Sequence, residues 1–318
     1  MSSESARTPH VPRSPAGGGL AAPPAAVESR RDPAVTPSHS PATEAWICVT
    51  CGVQFAPASR PPACCPICED ERQFVGSGGQ EWTTLAELRR GHRNEFTEEE
   101  PGLLSIQTRP GFAISQRALL VETPAGNVLW DCLSLVDDET IEALRSRGGV
   151  AAIAISHPHF YSSMIEWSRA LGGAPIWVHE NDRSWIQRPD EAVHTWSGTS
   201  HSLPGGLTLV NTGGHFPGSQ VLHWPSGAEG RGVLLVGDEP NICSDRRWVT
   251  FMRSYPNFIP LSGPEITRIT EALRPLAFDR LYGWSPDRVL RADAKRSVAL
   301  SAERHARALR GEHGVVER

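Results

Sequence analysis

The chain has few tyrosines and methionines, three of each in 318 residues, and Lys295 is its only lysine. The remaining basic residues are arginines, a bias that, beside abundant Ala, Pro and Gly, reads as codon composition rather than as a guanidinium-based function. No run approaches the ~18 consecutive apolar residues of a membrane span. The N-terminus also carries no apolar h-region. Integral membrane anchoring and export through the usual signal are therefore not expected, and the expected location is cytoplasmic. Net charge is −5, without the concentrated basic surface that broad nucleic-acid affinity requires; a nucleic-acid partner is not expected. An odd count of seven cysteines and no export signal argue against a disulfide framework and for metal ligands or buried thiols.

What is present falls into three segments. Residues 1–43 are rich in Pro, Ala, Ser and Gly, with no aromatic residue, Ile or Cys. Such a stretch cannot bury enough apolar surface to offset its backbone entropy, and it reads as a disordered tail. From Trp46 the composition changes. Cys48 and Cys51 form one C-x-x-C, and Cys65 and Cys68 form another after thirteen intervening residues. Gly52 follows the first pair and Pro66 sits inside the second, so turn chemistry accompanies both. Two such knuckles can converge four thiolates on one tetrahedral metal, which supplies folding energy that a short polar segment lacks. Residues 44–76 are read as a four-cysteine zinc ribbon or rubredoxin-like module holding a structural Zn²⁺. Cys64 adjoins Cys65 and could replace it as ligand, although the spacing favours Cys65.

From residue 77 to 318 strand-like and helix-like stretches alternate, as in a layered α/β domain. Residues 112–122 and 127–131 read as a hairpin around Pro124-Ala125-Gly126. Further strands are expected at 150–155, 176–179, 207–211, 220–224 and 232–236, and helices at 138–147, 161–171, 264–273 and 288–310. Chemistry concentrates where strands end. Ser156-His157-Pro158-His159 follows an apolar run, and imidazoles two residues apart on extended chain can reach one ion. His215 lies in the tight loop Gly213-Gly214-His215-Phe216-Pro217-Gly218-Ser219, and Asp238 closes the run Val233–Gly237. Three imidazoles and a carboxylate at strand ends suit a Zn²⁺ or Fe²⁺ site with room for water.

In this order, the hairpin ending at Asp131, His157-x-His159, the Gly-Gly-His215-x-Pro-Gly-Ser loop and Val-Gly-Asp238 resemble the metallo-β-lactamase fold superfamily. The resemblance covers roughly residues 100–290, and the loop at His215 is closest to glyoxalase II-like and lactonase-like members. It implies an αββα sandwich with the metal at one edge between two sheets. It also implies that His157, His159 and His215 are first-metal ligands and that Asp238 is the carboxylate that usually bridges two ions. The cysteine module is not part of the usual fold, and the whole arrangement resembles metallo-hydrolase-like proteins that carry such a ribbon.

The departures are informative. The usual His-x-His-x-Asp-His continues here as Phe160, Tyr161 and Ser162, and the stretch where a late histidine closes the second metal site reads Leu281-Tyr282-Gly283-Trp284. The ligands peculiar to a second metal are missing while the first set remains, which implies one Zn²⁺, Fe²⁺ or Mn²⁺. Asp238 is a ligand that could also orient the attacking water. Tyr161 is a candidate oxyanion donor, with packing at a helix start as its alternative. His179 and His223 are candidate partners of the ligands or structural histidines. Arg253 could meet an anionic substrate or form a surface ion pair, and Cys64, Cys132 and Cys243 read as free thiols. The leading reading is a metal-dependent hydrolase of a small ester, thioester, lactone or related substrate. The alternatives are an iron-dependent redox or oxygenase-type protein and a non-catalytic metal-binding protein.

Overall fold

A computed structural model describes residues 43–312; the expected tail, 1–43, lies outside them except for its last residue. Two sheets carry the architecture. The first has seven strands in chain order: Arg93–Glu100, Leu103–Arg109, Arg117–Val121, Val128–Trp130, Ala152–Ala154, Ile176–His179 and Val193–Trp196. Its first four strands are antiparallel neighbours, and the last four run parallel. The second sheet has six strands: Ser200–Ser202, Thr208–Asn211, Gln220–Trp224, Val233–Leu235, Arg280–Tyr282 and Val289–Leu290.

Strand alternation sorts side chains onto the two faces of each sheet. Leu119, Val121, Val128 and Trp130 of the first sheet meet Leu209, Leu222, Trp224 and Leu235 of the second in one inter-sheet core. On the outer face of the first sheet, Ala118, Leu120 and Leu129 pack with Ile141, Leu144, Ile165 and Trp167. These last four belong to the helices Asp138–Ser146 and Met164–Ala170. On the outer face of the second, Val221 and Leu234 pack under Ile266, Ile269 and Val298, from the helices Gly263–Leu273 and Ala294–Leu309. The result is the expected αββα sandwich.

The cysteine module is stitched to this sandwich. Its strand Ile47–Cys48 pairs with Trp82–Thr83, beyond residue 76. Cys48, Cys51, Val53, Phe55 and Ile67 belong to the same buried cluster as the outer face of the first sheet. The described residues, 43–312, accordingly fall in one compact unit. Within the first sheet, fully buried Arg117 donates to Glu99 at 2.7 Å and to the Gly283 carbonyl at 2.9 Å, a pairing that burial of a guanidinium demands.

Several boundaries differ from those expected. The hairpin strand begins at Arg117 rather than 112, because Ala113 and Ser115 take left-handed backbone in a turn closed by Ser115 N–H donating to Phe112 O. Ser162 is also left-handed, with φ 44°, and it separates a 3-10 turn at Pro158–Phe160 from the helix at Met164. The last helix starts at Ala294 rather than 288, since Val289–Leu290 is used as an edge strand against Leu281 and Tyr282. The long hairpin of Arg93–Glu100 and Leu103–Arg109 was not anticipated. Its first strand is an edge strand, mostly exposed, so it lacks the apolar signature of a core strand.

Candidate metal centre

The loops that follow four strands meet at one edge of the sandwich. Asp131 follows Val128–Trp130, His157 and His159 follow Ala152–Ala154, His215 joins Thr208–Asn211 to Gln220–Trp224, and Asp238 follows Val233–Leu235. Gln220 ties the two sheets together here. Its side-chain amide donates to the carbonyls of Ile155 and Trp177, and its Oε1 accepts from Trp196 Nε1.

The four residues converge. His157 Nε2, His159 Nδ1 and His215 Nε2 lie 3.3, 3.8 and 3.7 Å from one oxygen, Asp238 Oδ2. All four ligand atoms lie within 4.8 Å of one another. The three histidines are almost wholly buried. Neighbours fix the rings: His215 Nδ1 is 3.2 Å from the Met252 carbonyl, and His157 Nδ1 is 2.9 Å from Ser156 Oγ. A carbonyl can only accept, so His215 carries its proton on Nδ1 and presents a lone pair on Nε2, 3.3 Å from His159 Nδ1. Burial pulls His159 down to about 4 and His215 well below its ordinary range, leaving both imidazoles neutral. Burial opposes ionisation of Asp238, yet the His157 and His159 imidazoles that face it hold its carboxyl well below the usual range. Neutral imidazole nitrogens around one carboxylate are the donor set that a divalent ion takes. His157 Nε2 is buried without a hydrogen-bond partner in the protein, as a ligand nitrogen would be, so the residues fit a metal.

Two glycines matter for this geometry. A Cβ on Gly218 would lie 2.5 Å from the Asp182 carboxyl carbon, and that carboxylate accepts the Gly218 N–H at 2.7 Å, bracing the His215 loop. A Cβ on Gly237 would overlap Ser156 Oγ and lie 2.8 Å from His157 Nδ1. Gly237→Ala is therefore expected to displace the His157 ring and lower metal affinity about 10- to 100-fold, in the range of losses from outer-shell changes. Zinc titration against a chromogenic chelator reads the effect.

Asp131 lies beneath the site and accepts the Ser156 N–H at 2.7 Å. Burial pushes its carboxyl up to about 8. The folded protein thus keeps a proton that the unfolded chain has released above pH ~4. Asp131 therefore makes stability fall as pH rises from about 4 to about 8, by up to ~1.4 kcal/mol per unit. Asp131→Asn retains the acceptor and is expected to remove this slope from urea midpoints compared between pH 5 and pH 8.

The other sequence candidates lie elsewhere. Tyr161 is buried, and its hydroxyl donates to the Asp182 carbonyl at 3.2 Å, so the structure places it in packing. Ser162 Oγ accepts from Gln116. His179 Nε2 and His223 Nε2 face the carbonyls of Gly198 and Ala277 and do not support the ligands. Arg253 forms an exposed ion pair with Glu71. Cys132 and Cys243 join neither cluster. Among the described residues, the His/Cys/Asp/Glu groups able to hold a metal are the histidine cluster and Cys48, Cys51, Cys65 and Cys68. In the latter, Cys48 and Cys68 sulfurs lie 3.5 Å apart and those of Cys51 and Cys65 3.7 Å apart. Cys64 is exposed and outside the group.

Sequence reasoning missed the contribution of the segment after Cys68. Arg72 is held by Asp70 at 2.6 and 2.8 Å, lies 3.8 Å over the Phe216 ring, and donates Nη1 to the His215 carbonyl at 3.2 Å. The Glu71 carbonyl accepts from Ser254 Oγ and Asn257 Nδ2. The cysteine module thus braces the loop that carries His215, a long-range contact with no local signature.

Comparison with known proteins places this arrangement. No protein-family profile matches the chain. Its fold is similar to that of VMB-1, at 11% identity, 66% coverage of this chain, 95% of that chain and TM-score 0.51. It is also similar to the DIM-1 metallo-β-lactamase, at 13% identity, 66% and 97% coverage and TM-score 0.50. The uncharacterized protein YmaE of Bacillus subtilis (strain 168) is 47% identical over 269 residues, 84% of this chain and 97% of that protein. The chain belongs to the YmaE family. In this member of the YmaE family the metallo-β-lactamase sandwich is preceded by a four-cysteine cluster. Among the described residues no helix is long and apolar enough to cross a membrane.

Proposed function

We propose that this YmaE-family chain is a metal-dependent hydrolase of a small ester, thioester, lactone or related substrate, working through a mononuclear site. One observation carries the reading: the three imidazole nitrogens and the Asp238 carboxylate converge at a cavity of about 630 Å³ that His159 and Asp238 help to line. Zn²⁺ suits the donor set, and Fe²⁺ or Mn²⁺ would also be accepted. His157, His159, His215 and Asp238 would hold the ion, and Cys48, Cys51, Cys65 and Cys68 would hold a structural Zn²⁺. When bound, a divalent ion lowers the pKa of water towards ~7 and polarises a carbonyl oxygen.

The chain's own groups supply the rest. Asp238 presents a carboxylate at the cavity, placed to orient water. Its backbone is held by Tyr255, whose hydroxyl donates to the Asp238 carbonyl at 2.9 Å. In the net reaction, water cleaves the acyl C–O or C–S bond, its hydroxyl joining the acyl carbon and its proton the leaving oxygen or sulfur.

Elemental analysis of purified protein, combined with an esterase and thioesterase screen of wild type and His157→Ala, tests the reading. One ion per cluster is expected, with activity that follows the metal and disappears in the variant. A second ion beside the histidine-cluster ion sinks the mononuclear site, and activity unchanged in His157→Ala sinks the hydrolase.

A further inference from the structure

The cavity beside the histidine cluster joins parts of the chain that the sandwich alone would not bring together. Phe74 comes from the cysteine module, in its segment after Cys68. Phe258 sits at the tip of the hairpin formed by Met252–Ser254 and Ile259–Pro260. Both line the cavity, together with Ile114, Ile242, Met252 and Trp284. Phe74 is 53% exposed and Phe258 84% exposed. Phe258 has φ 55°, a left-handed backbone that a bulky residue adopts only where its surroundings impose it. Two separate segments thus present aromatic rings to solvent at the same opening. Large exposed apolar side chains gathered at one place mark a binding surface.

The cations that line the cavity are already engaged. Arg72 is held by Asp70 and the His215 carbonyl. Arg288 donates Nη1 to the Ile242 carbonyl at 3.2 Å and to Ser244 Oγ at 3.3 Å, and its buried Nε, without a hydrogen-bond partner, lies 3.6 Å from the Asp287 carboxylate. An anionic substrate tail would have to displace these partners, whereas an uncharged apolar tail displaces only water.

We infer that the substrate carries an uncharged apolar acyl chain or arylalkyl group of medium length, clamped between Phe74 of the cysteine-module segment and Phe258 of the hairpin. The inference rests on the reading of the histidine cluster as a hydrolytic metal site. The cysteine module then has a part in specificity, because it supplies one wall of the acyl pocket.

Linear alkyl hydroxamates, whose head group chelates an active-site ion, separate the two readings by calorimetry on the metal-loaded full chain. Acetohydroxamate reports the ion alone, and the four- to eight-carbon members add the chain. Affinity is expected to rise about two- to fourfold per methylene buried. Phe74→Ser and Phe258→Ser, both at exposed positions that the fold does not need, are each expected to flatten that rise and to leave acetohydroxamate binding unchanged. The monohydroxamate of suberic acid, with a carboxylate at the far end, is expected to bind at least tenfold more weakly than octanohydroxamate. Acetohydroxamate binding without chain-length dependence, a dependence that neither variant alters, or tighter binding of the carboxylate-ended chain would each overturn the clamp. Absence of binding by every member, acetohydroxamate included, would overturn the metal-site reading and the inference with it.

Discussion

His215→Ala is expected to strip the ion from the histidine cluster while the cysteine cluster stays loaded. His215 is fully buried, its Nδ1 is anchored on the Met252 carbonyl, and its Nε2 faces His159 Nδ1 at 3.3 Å and Asp238 Oδ2 at 3.7 Å. Removing the ring leaves two imidazoles and one carboxylate around a cavity that the loop cannot close, because Arg72 and Asp182 hold its backbone from outside. Outer-shell changes alone cost about 10- to 100-fold in metal affinity, so loss of a ligand is expected to cost more than about a hundredfold. Chelator competition on the purified protein measures it, with the exposed Arg253→Ala as a control that leaves affinity unchanged. An affinity within tenfold of wild type would remove His215 from the ligand set.

The second large effect concerns the other cluster. Cys51→Ser is expected to destabilise the whole described unit, not the module alone. Cys48, Cys51, Cys65 and Cys68 are buried with their sulfurs in two close pairs, and burial pushes the Cys51 thiol well up. A bound cation is what makes thiolates compatible with such proximity, and structural Zn²⁺ contributes of order 10–16 kcal/mol in isolated zinc fingers. Because Val53, Phe55 and Ile67 share the core with Leu104, Leu120 and Ile153, loosening the module exposes sandwich surface as well. A loss of at least about 3 kcal/mol is expected, lowering Tm by roughly 6–12 °C for a unit of this size. The same variant is expected to weaken metal binding at the histidine cluster, since Arg72 and Glu71 would release the His215 loop and the Met252–Ser254 strand. An unchanged Tm with unchanged metal content would show that the cysteines are structural thiols.

Much of the candidate site was legible because metal chemistry constrains spacing locally. His157 and His159 are two residues apart beyond one strand, and C-x-x-C places two thiols on one turn. The loop at His215 was legible through Gly213, Gly214, Pro217 and Gly218, whose backbone demands leave few alternatives to a tight turn. Only the family resemblance made Phe160, Tyr161 and Trp284 readable as departures from a second-site ligand pattern. The role considered for Tyr161 was not readable, because which way its ring turns depends on Asp182, twenty-one residues away. The same holds for His179 and His223, whose carbonyl partners lie in loops 19 and 54 residues away.

Residue type and spacing alone thus determined the two candidate metal-ligand sets and the alternation of strands and helices, whereas the mononuclear character proposed for the histidine cluster follows from the family resemblance. Each depends on interactions within a few residues or on the chemistry of side chains known in advance. Only the tertiary structure revealed that the two sets belong to one unit. Arg72 on the His215 carbonyl spans 143 residues of chain, Ser254 on Glu71 spans 183, and Phe74 and Phe258 meet the same cavity from segments just as distant. Such contacts are selected by the packing of whole layers, in which many weak apolar contacts add up to set where a loop lies. No local pattern encodes that sum, so the walls around the metal emerge only when the chain is folded.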